Sequence, residues 1–155
     1  MKKVLLFILT YIFVTSCGFE VVNRTQLANY DIDEIVSTGD KRINFKIKNK
    51  ILFGSQKNGK KLISIRLNSK KDKTIKEKNI KNEITKYLIN VNIDVEFKGI
   101  NKKDWDRFNV SASGDYTVAS QYSQTLNNEK NLTELLTDKL ANEIMNELGL
   151  RLNAN

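Results

Sequence analysis

Ile89-Asn-Val-Asn-Ile-Asp-Val-Glu-Phe97 alternates apolar and polar side chains without a break. Successive strand residues point to opposite faces, so Ile89, Val91, Ile93, Val95 and Phe97 share one side, and Asn90, Asn92, Asp94 and Glu96 the other. This is the pattern of a sheet covered on one face and wet on the opposite one. The residues that follow, 99–104, read as a turn, and the period resumes from Arg107 to Gln121. Phe108, Val110, Ala112, Gly114, Tyr116 and Val118 oppose Asn109, Ser111, Ser113, Asp115 and Thr117. Two long neighbours joined by a short turn are expected to pair antiparallel.

Upstream, Leu62 to Leu67 reads as a strand with Ile63, Ile65 and Leu67 on one face. Residues 68–81 (Asn-Ser-Lys-Lys-Asp-Lys-Thr-Ile-Lys-Glu-Lys-Asn-Ile-Lys) read as a polar, lysine-heavy solvated connection. Tyr30 to Val36 is a candidate first strand, stopped by Ser37-Thr38-Gly39-Asp40. Residues 40–53 fit two periods. Ile43, Phe45 and Ile47 alternate as in a strand, whereas Ile43, Ile47 and Ile51 lie at i, i+4, i+8 as on a helix that Asp40 would cap. The helix is the preferred reading. At the other end, Leu132, Leu136, Leu140, Ile144 and Leu148 repeat every fourth residue, and Leu135 widens the stripe. Asn131 suits the N-cap, with Glu134 at N3, and Gly149 suits the C′ position. Strand, helix, three strands and helix in that order predict an α+β fold, a two-layer sandwich with the last helix on the apolar face of the sheet.

The start of the chain has a different character. Lys2 and Lys3 precede an 11-residue apolar run, Val4 to Val14, too short to span a bilayer, and Thr15-Ser16-Cys17-Gly18 follows. This resembles a bacterial lipoprotein signal ending in a lipobox, which implies cleavage before Cys17 and a covalent lipid on its thiol. Residues 1–16 are then the signal, 17–30 a lipidated tether, 31–149 a single domain and 150–155 a C-terminal tail. Gly18, rather than Asp, after the cysteine permits transfer to the outer membrane, with the body lipid-anchored on its periplasmic face.

Of 155 residues, 139 remain after the signal, enough for one domain with a real core. Cys17 is the single cysteine, and histidine and proline are absent. The commonest general base and the commonest zinc ligand are therefore missing, and a Ser-His-Asp arrangement is impossible. Gly54 and Gly59-Lys60 lack P-loop spacing, and Ser111-Ala-Ser-Gly114 lies in a strand rather than a nucleophile elbow. Asp31, Asp33 and Glu34, Asp94 and Glu96, and Asp104 and Asp106 around Trp105 form no catalytic or calcium pattern. The expectation is a binding or scaffolding protein and no enzyme, with no catalytic residue, no metal and no cofactor beyond the lipid on Cys17. The chain carries 26 Lys+Arg against 18 Asp+Glu, a net charge of +8. That excess suits an anionic partner such as acidic lipid or phosphorylated glycolipid, while export to a membrane argues against nucleic acid. The abundance of Lys, Asn and Ile is also what AT-rich codons produce.

The lipobox with Cys17-Gly18-Phe19, then Asp115-Tyr-Thr-Val-Ala-Ser-Gln-Tyr122, then Leu132-Thr-Glu-Leu-Leu-Thr-Asp-Lys-Leu-Ala-Asn-Glu-Ile144 resembles the LptE family of lipopolysaccharide-assembly lipoproteins. The likeness lies in element order more than in identities. It implies a roughly four-stranded mixed or antiparallel sheet with two helices on one face, and so a helix at 40–53. It also implies a function, as plug and assembly partner of a large outer-membrane β-barrel of the LptD type, in the delivery of lipopolysaccharide to the cell surface. The competing readings are a pilotin-like chaperone of another outer-membrane complex and a periplasmic lipid-active enzyme. The family's lipopolysaccharide binding through basic residues has no motif to carry over. The candidate contacts read from the chain are Lys70, Lys71 and Lys73 in the first basic segment, and Lys102, Lys103 and Arg107 at the strand turn, all able to neutralise phosphates.

Overall fold

The computed structural model describes residues 27, 29–55, 59, 61–99 and 102–153. The signal, Cys17 and most of the expected tether lie outside them. Six elements follow one another: β1 (Tyr30–Gly39), α1 (Lys41–Gly54), β2 (Lys61–Lys78), β3 (Ile84–Gly99), β4 (Asp106–Thr117) and α2 (Tyr122–Asn153). The strands form one mixed sheet in the order β1-β2-β3-β4. β1 and β2 are parallel, joined by the crossover through α1, and the other two pairings are antiparallel. Both helices lie on one face, where α1 and α2 also pack on each other. This is the expected α+β two-layer sandwich.

The ambiguity at 40–53 resolves as a helix. Asp40 caps it, its carboxylate accepting from the backbone N–H groups of Arg42 (2.9 Å) and Ile43 (3.1 Å). Ile43, Ile47 and Ile51 are buried while Phe45, the residue a strand would have turned inward, is 69 % exposed. On the sheet, Ile63, Ile65 and Leu67 of β2, Ile89 to Phe97 of β3, and Val110, Ala112 and Tyr116 of β4 meet Leu136, Leu140, Ile144 and Leu148 of α2 in one core.

Five sequence expectations need correction. The expected connection at 68–81 is strand through Lys78, with only residues 79–83 left as the turn. Its backbone pairs with β3 in register (Lys71 with Val91, Lys73 with Ile89, Ile75 with Tyr87), so ladder hydrogen bonds hold a segment that buries little apolar surface. The final helix starts at Tyr122, so Asn131 is an interior residue and no N-cap. Its early turns bury only Thr125, whose Oγ1 accepts from the N–H of Ala119 (2.9 Å), and they carry no apolar stripe to announce them. At the other end the helix runs through Gly149, which is buried inside it, to Asn153. The expected tail is therefore helical through residue 153, and the Tyr30 hydroxyl donates to the carbonyl of Leu152 at 2.6 Å. The expected β4 reached Gln121 but ends at Thr117, although Val118 still donates to the carbonyl of Thr85. Leu27, assigned to the tether, is fully buried and bridges to Ser55.

Candidate functional site

The face of the sheet away from the helices is polar and built in cross-strand rows. One row runs Thr38, Asn68, Asp94, Asn109 across all four strands. The Thr38 hydroxyl donates to Asn68 Oδ1 (3.1 Å), Asn68 Nδ2 to Asp94 Oδ2 (3.5 Å) and Asn109 Nδ2 to Asp94 Oδ1 (2.7 Å), with Asn92 also accepting from Asn109. The adjacent row is Val36, Arg66, Glu96, Arg107. Arg66 lies 3.8 Å from the Glu96 carboxylate. Both rows line an open hollow of about 600 Å³.

At the end of the hollow nearest the β3–β4 loop, Trp105 is flanked by two cations. The Arg66 guanidinium is 4.0 Å from its ring centroid and Lys98 Nζ 4.9 Å. The alternation of β2 and β3 places Arg66 and Lys98 on this face because Ile65 and Phe97 occupy the core face. Two cations beside an indole, with Arg107 on the wall of the same hollow, suit an anionic head group that also has a surface to stack.

The six basic residues singled out in the sequence do not form one patch. Arg107 lines the hollow, and Lys102 and Lys103 lie in the loop before β4, where Lys102 Nζ is 3.9 Å from Asp106. Lys70 is on β2, 3.1 Å from Asp72. Lys71 and Lys73 point to the helix side and are engaged there by Glu129 of α2, at 3.5 and 2.6 Å. The β3 partners of Lys73 and Arg107 are Ile89 and Glu96, seven residues or about 23 Å apart along the strand. Arg66, Lys98 and Trp105 were not among the sequence candidates. Period-2 alternation alone could have placed the first two on the wet face, but their approach to Trp105 depends on how the loop folds back.

Lys73 is the centre of a buttress between sheet and helix. Its Nζ lies 4.2 Å from the Tyr87 ring centroid and 5.4 Å from that of Tyr116, which stack with centroids 5.7 Å apart. The Tyr116 hydroxyl donates to Glu129 Oε2 at 2.9 Å. The hydrogen bond from Lys73 holds the Glu129 carboxyl below its ordinary range, against the opposing effect of burial. For Lys73, burial by itself would lower the pKa, but the hydrogen bonds to Glu129 and Tyr116 outweigh it and the ammonium ends above its ordinary range. A depressed carboxyl contributes stability that is present above its unfolded value and lost as pH falls through the folded one. A raised ammonium contributes stability that is present below its unfolded value and lost as pH rises through the folded one. Glu129→Gln is therefore expected to lower stability by about 1–3 kcal/mol at neutral pH. Urea titrations should show the difference from wild type shrinking below about pH 4.5.

No protein-family model and no curated protein sequence matches the chain. Solved structures do. Rare lipoprotein B from Shewanella oneidensis superposes with a TM-score of 0.52 at 8 % identity, covering 79 % of this chain and 95 % of that one. The fold is LptE-like. A lipoprotein from Caulobacter crescentus CB15 gives 0.55 at 12 % identity over 80 % and 92 % of the two chains. Lipoprotein B from Nitrosomonas europaea gives 0.55 at 11 % identity over 88 % and 94 %. The chain thus spans nearly the whole of each of these lipoprotein structures. Among the described residues, no helix is long and apolar enough to cross a membrane.

Proposed function

We propose that this protein is a lipopolysaccharide-assembly lipoprotein of the LptE type, held at the periplasmic face of the outer membrane by lipid on Cys17. In this reading it is the plug and assembly partner of a large β-barrel translocon and performs no chemistry of its own. The observation that carries the reading is the combination of a lipobox at Cys17 with an LptE-like fold behind it. The hollow supports it, since Arg66 and Arg107 line it and Arg66 and Lys98 flank Trp105 at its end, which offers cations and an aromatic surface to a phosphorylated glycolipid. Of the earlier candidates, Arg107, Lys102 and Lys103 belong to this end of the sheet, whereas Lys71 and Lys73 are assigned to the buttress.

The test is detergent extraction of the tagged full-length chain and identification of what co-purifies. A large LptD-like barrel is expected, and depletion of the protein should lower surface lipopolysaccharide. Recovery of a secretin in place of that barrel, or normal surface lipopolysaccharide after depletion, would reject the assignment. With the complex intact, Arg66→Glu combined with Arg107→Glu should weaken lipopolysaccharide retention by about tenfold or more, the loss of two charge-assisted contacts.

A further inference from the structure

The two edges of the sheet are built differently. β1 carries Asp31, Asp33 and Glu34 and breaks register between Ile32 and Glu34, both of them devices that keep an edge from recruiting another strand. β4 has no register break, and its charges, Asp106, Arg107 and Asp115, are of both signs and stand near its ends. It runs 12 residues, twice the usual strand length, in unbroken register with β3 from Asp106 to Thr117, without lysine, proline or bulge. Between Phe108 and Gly114 it has no charge at all. Among the described residues no strand pairs with its far side.

The β4 sequence is also complementary to itself. We infer that β4 pairs antiparallel with β4 of a second copy about a two-fold axis at Ser111, making one continuous eight-stranded sheet. In that register Arg107 of each copy lies opposite Asp115 of the other, so two ion pairs of opposite charge flank the axis. Val110 meets Ala112, Asn109 meets Ser113, and Phe108 meets the bare backbone of Gly114. Every one of these pairs joins residues of the same face, so the apolar side remains with the helices and the polar side with the hollow. Moving the axis one residue either way keeps the faces matched but sets Arg107 opposite Thr117 or Ser113 and removes both ion pairs. Within its own chain Asp115 accepts from Lys76 at 2.6 Å, so in the pair it lies between two cations, as a carboxylate with two oxygens can. The inference concerns the edge of the free lipoprotein and does not rest on the identity of any barrel.

Ser111 is exposed, and in the pair it faces its own copy at the spacing of directly opposed strand residues, about 4.5–5.5 Å between Cβ atoms. Full-length lipidated protein carrying Ser111→Cys, treated with a mild oxidant in detergent, should therefore form a disulfide dimer. Its yield should exceed by about tenfold that of Ser113→Cys or of Asn92→Cys, a control on the outer face of β3. Asn109→Cys combined with Ser113→Cys should also cross-link. Arg107→Glu should lower the Ser111→Cys yield several-fold, and adding Asp115→Arg should restore it. Equal yields at 111, 113 and 92, or a yield at 111 that ignores the Arg107 change, would overturn the pairing.

Discussion

Cys17→Ser is expected to move the protein from the membrane fraction to the aqueous one and to abolish incorporation of labelled palmitate. Acyl chains contribute about 0.8 kcal/mol for each buried CH₂, and a single short chain gives only weak, reversible binding. The several chains of a mature lipoprotein together supply a holding energy that no side-chain contact of the domain approaches. No helix among the described residues offers a second way across the bilayer. The expected change is therefore a loss of orders of magnitude in membrane partition, with the fold intact. Cell fractionation and palmitate labelling check it. Unchanged labelling of the serine variant would show that Cys17 is not the acylated residue, and unchanged flotation on a density gradient would show that the lipid is not the anchor.

The largest expected loss of stability from a single methyl group is at Gly39. This residue ends β1 with φ +93, a region that L side chains rarely adopt. A Cβ there would lie 1.9 Å from the carbonyl oxygen of Ser69 and 2.9 Å from its carbonyl carbon, both backbone atoms of the neighbouring strand. The clash cannot be relieved by turning a side chain. Moving the strand would disturb the bond from the Asp40 N–H to the same Ser69 oxygen (3.2 Å), and with it the cap of α1. Gly39→Ala is expected to cost about 3–5 kcal/mol, a large part of the stability of a small domain. Gly99 is the control. Nothing lies within 4 Å of a Cβ built there and its φ is not positive, so Gly99→Ala should stay within about 0.5 kcal/mol of wild type. Urea midpoints of the two variants decide the matter, and a Gly39 variant as stable as the Gly99 one would contradict the geometry.

Much of the architecture could be read from residue periods. Ile89 to Phe97 and Phe108 to Tyr116 assigned faces that burial in the structure repeats, and the leucine stripe of 132–148 found the middle of α2. The failures share a cause. Residues 71–78 and 122–131 bury little apolar surface, so neither carries a period. The first segment is strand because β3 offers it a ladder. The second is helix because it continues a helix whose later turns are anchored in the core. The candidate site divides in the same way. Arg107 was visible as a charge beside a turn, but the separation of Lys71 and Lys73 from it depended on Glu129, 56 residues from Lys73 in the chain.

By itself the sequence determined the choice of an α+β sandwich and the face that β3 and β4 each turn to the core. These rest on local composition and on the 2.0 and 3.6 residue periods, which are properties of a few consecutive residues. Tertiary structure alone decided which cations share a surface, that the lysine-rich segment is strand and not loop, and that one sheet edge is guarded while the other is open. Each of these depends on register between segments far apart in the chain. A register is fixed by packing and hydrogen bonding across the whole sheet, and no single segment records it.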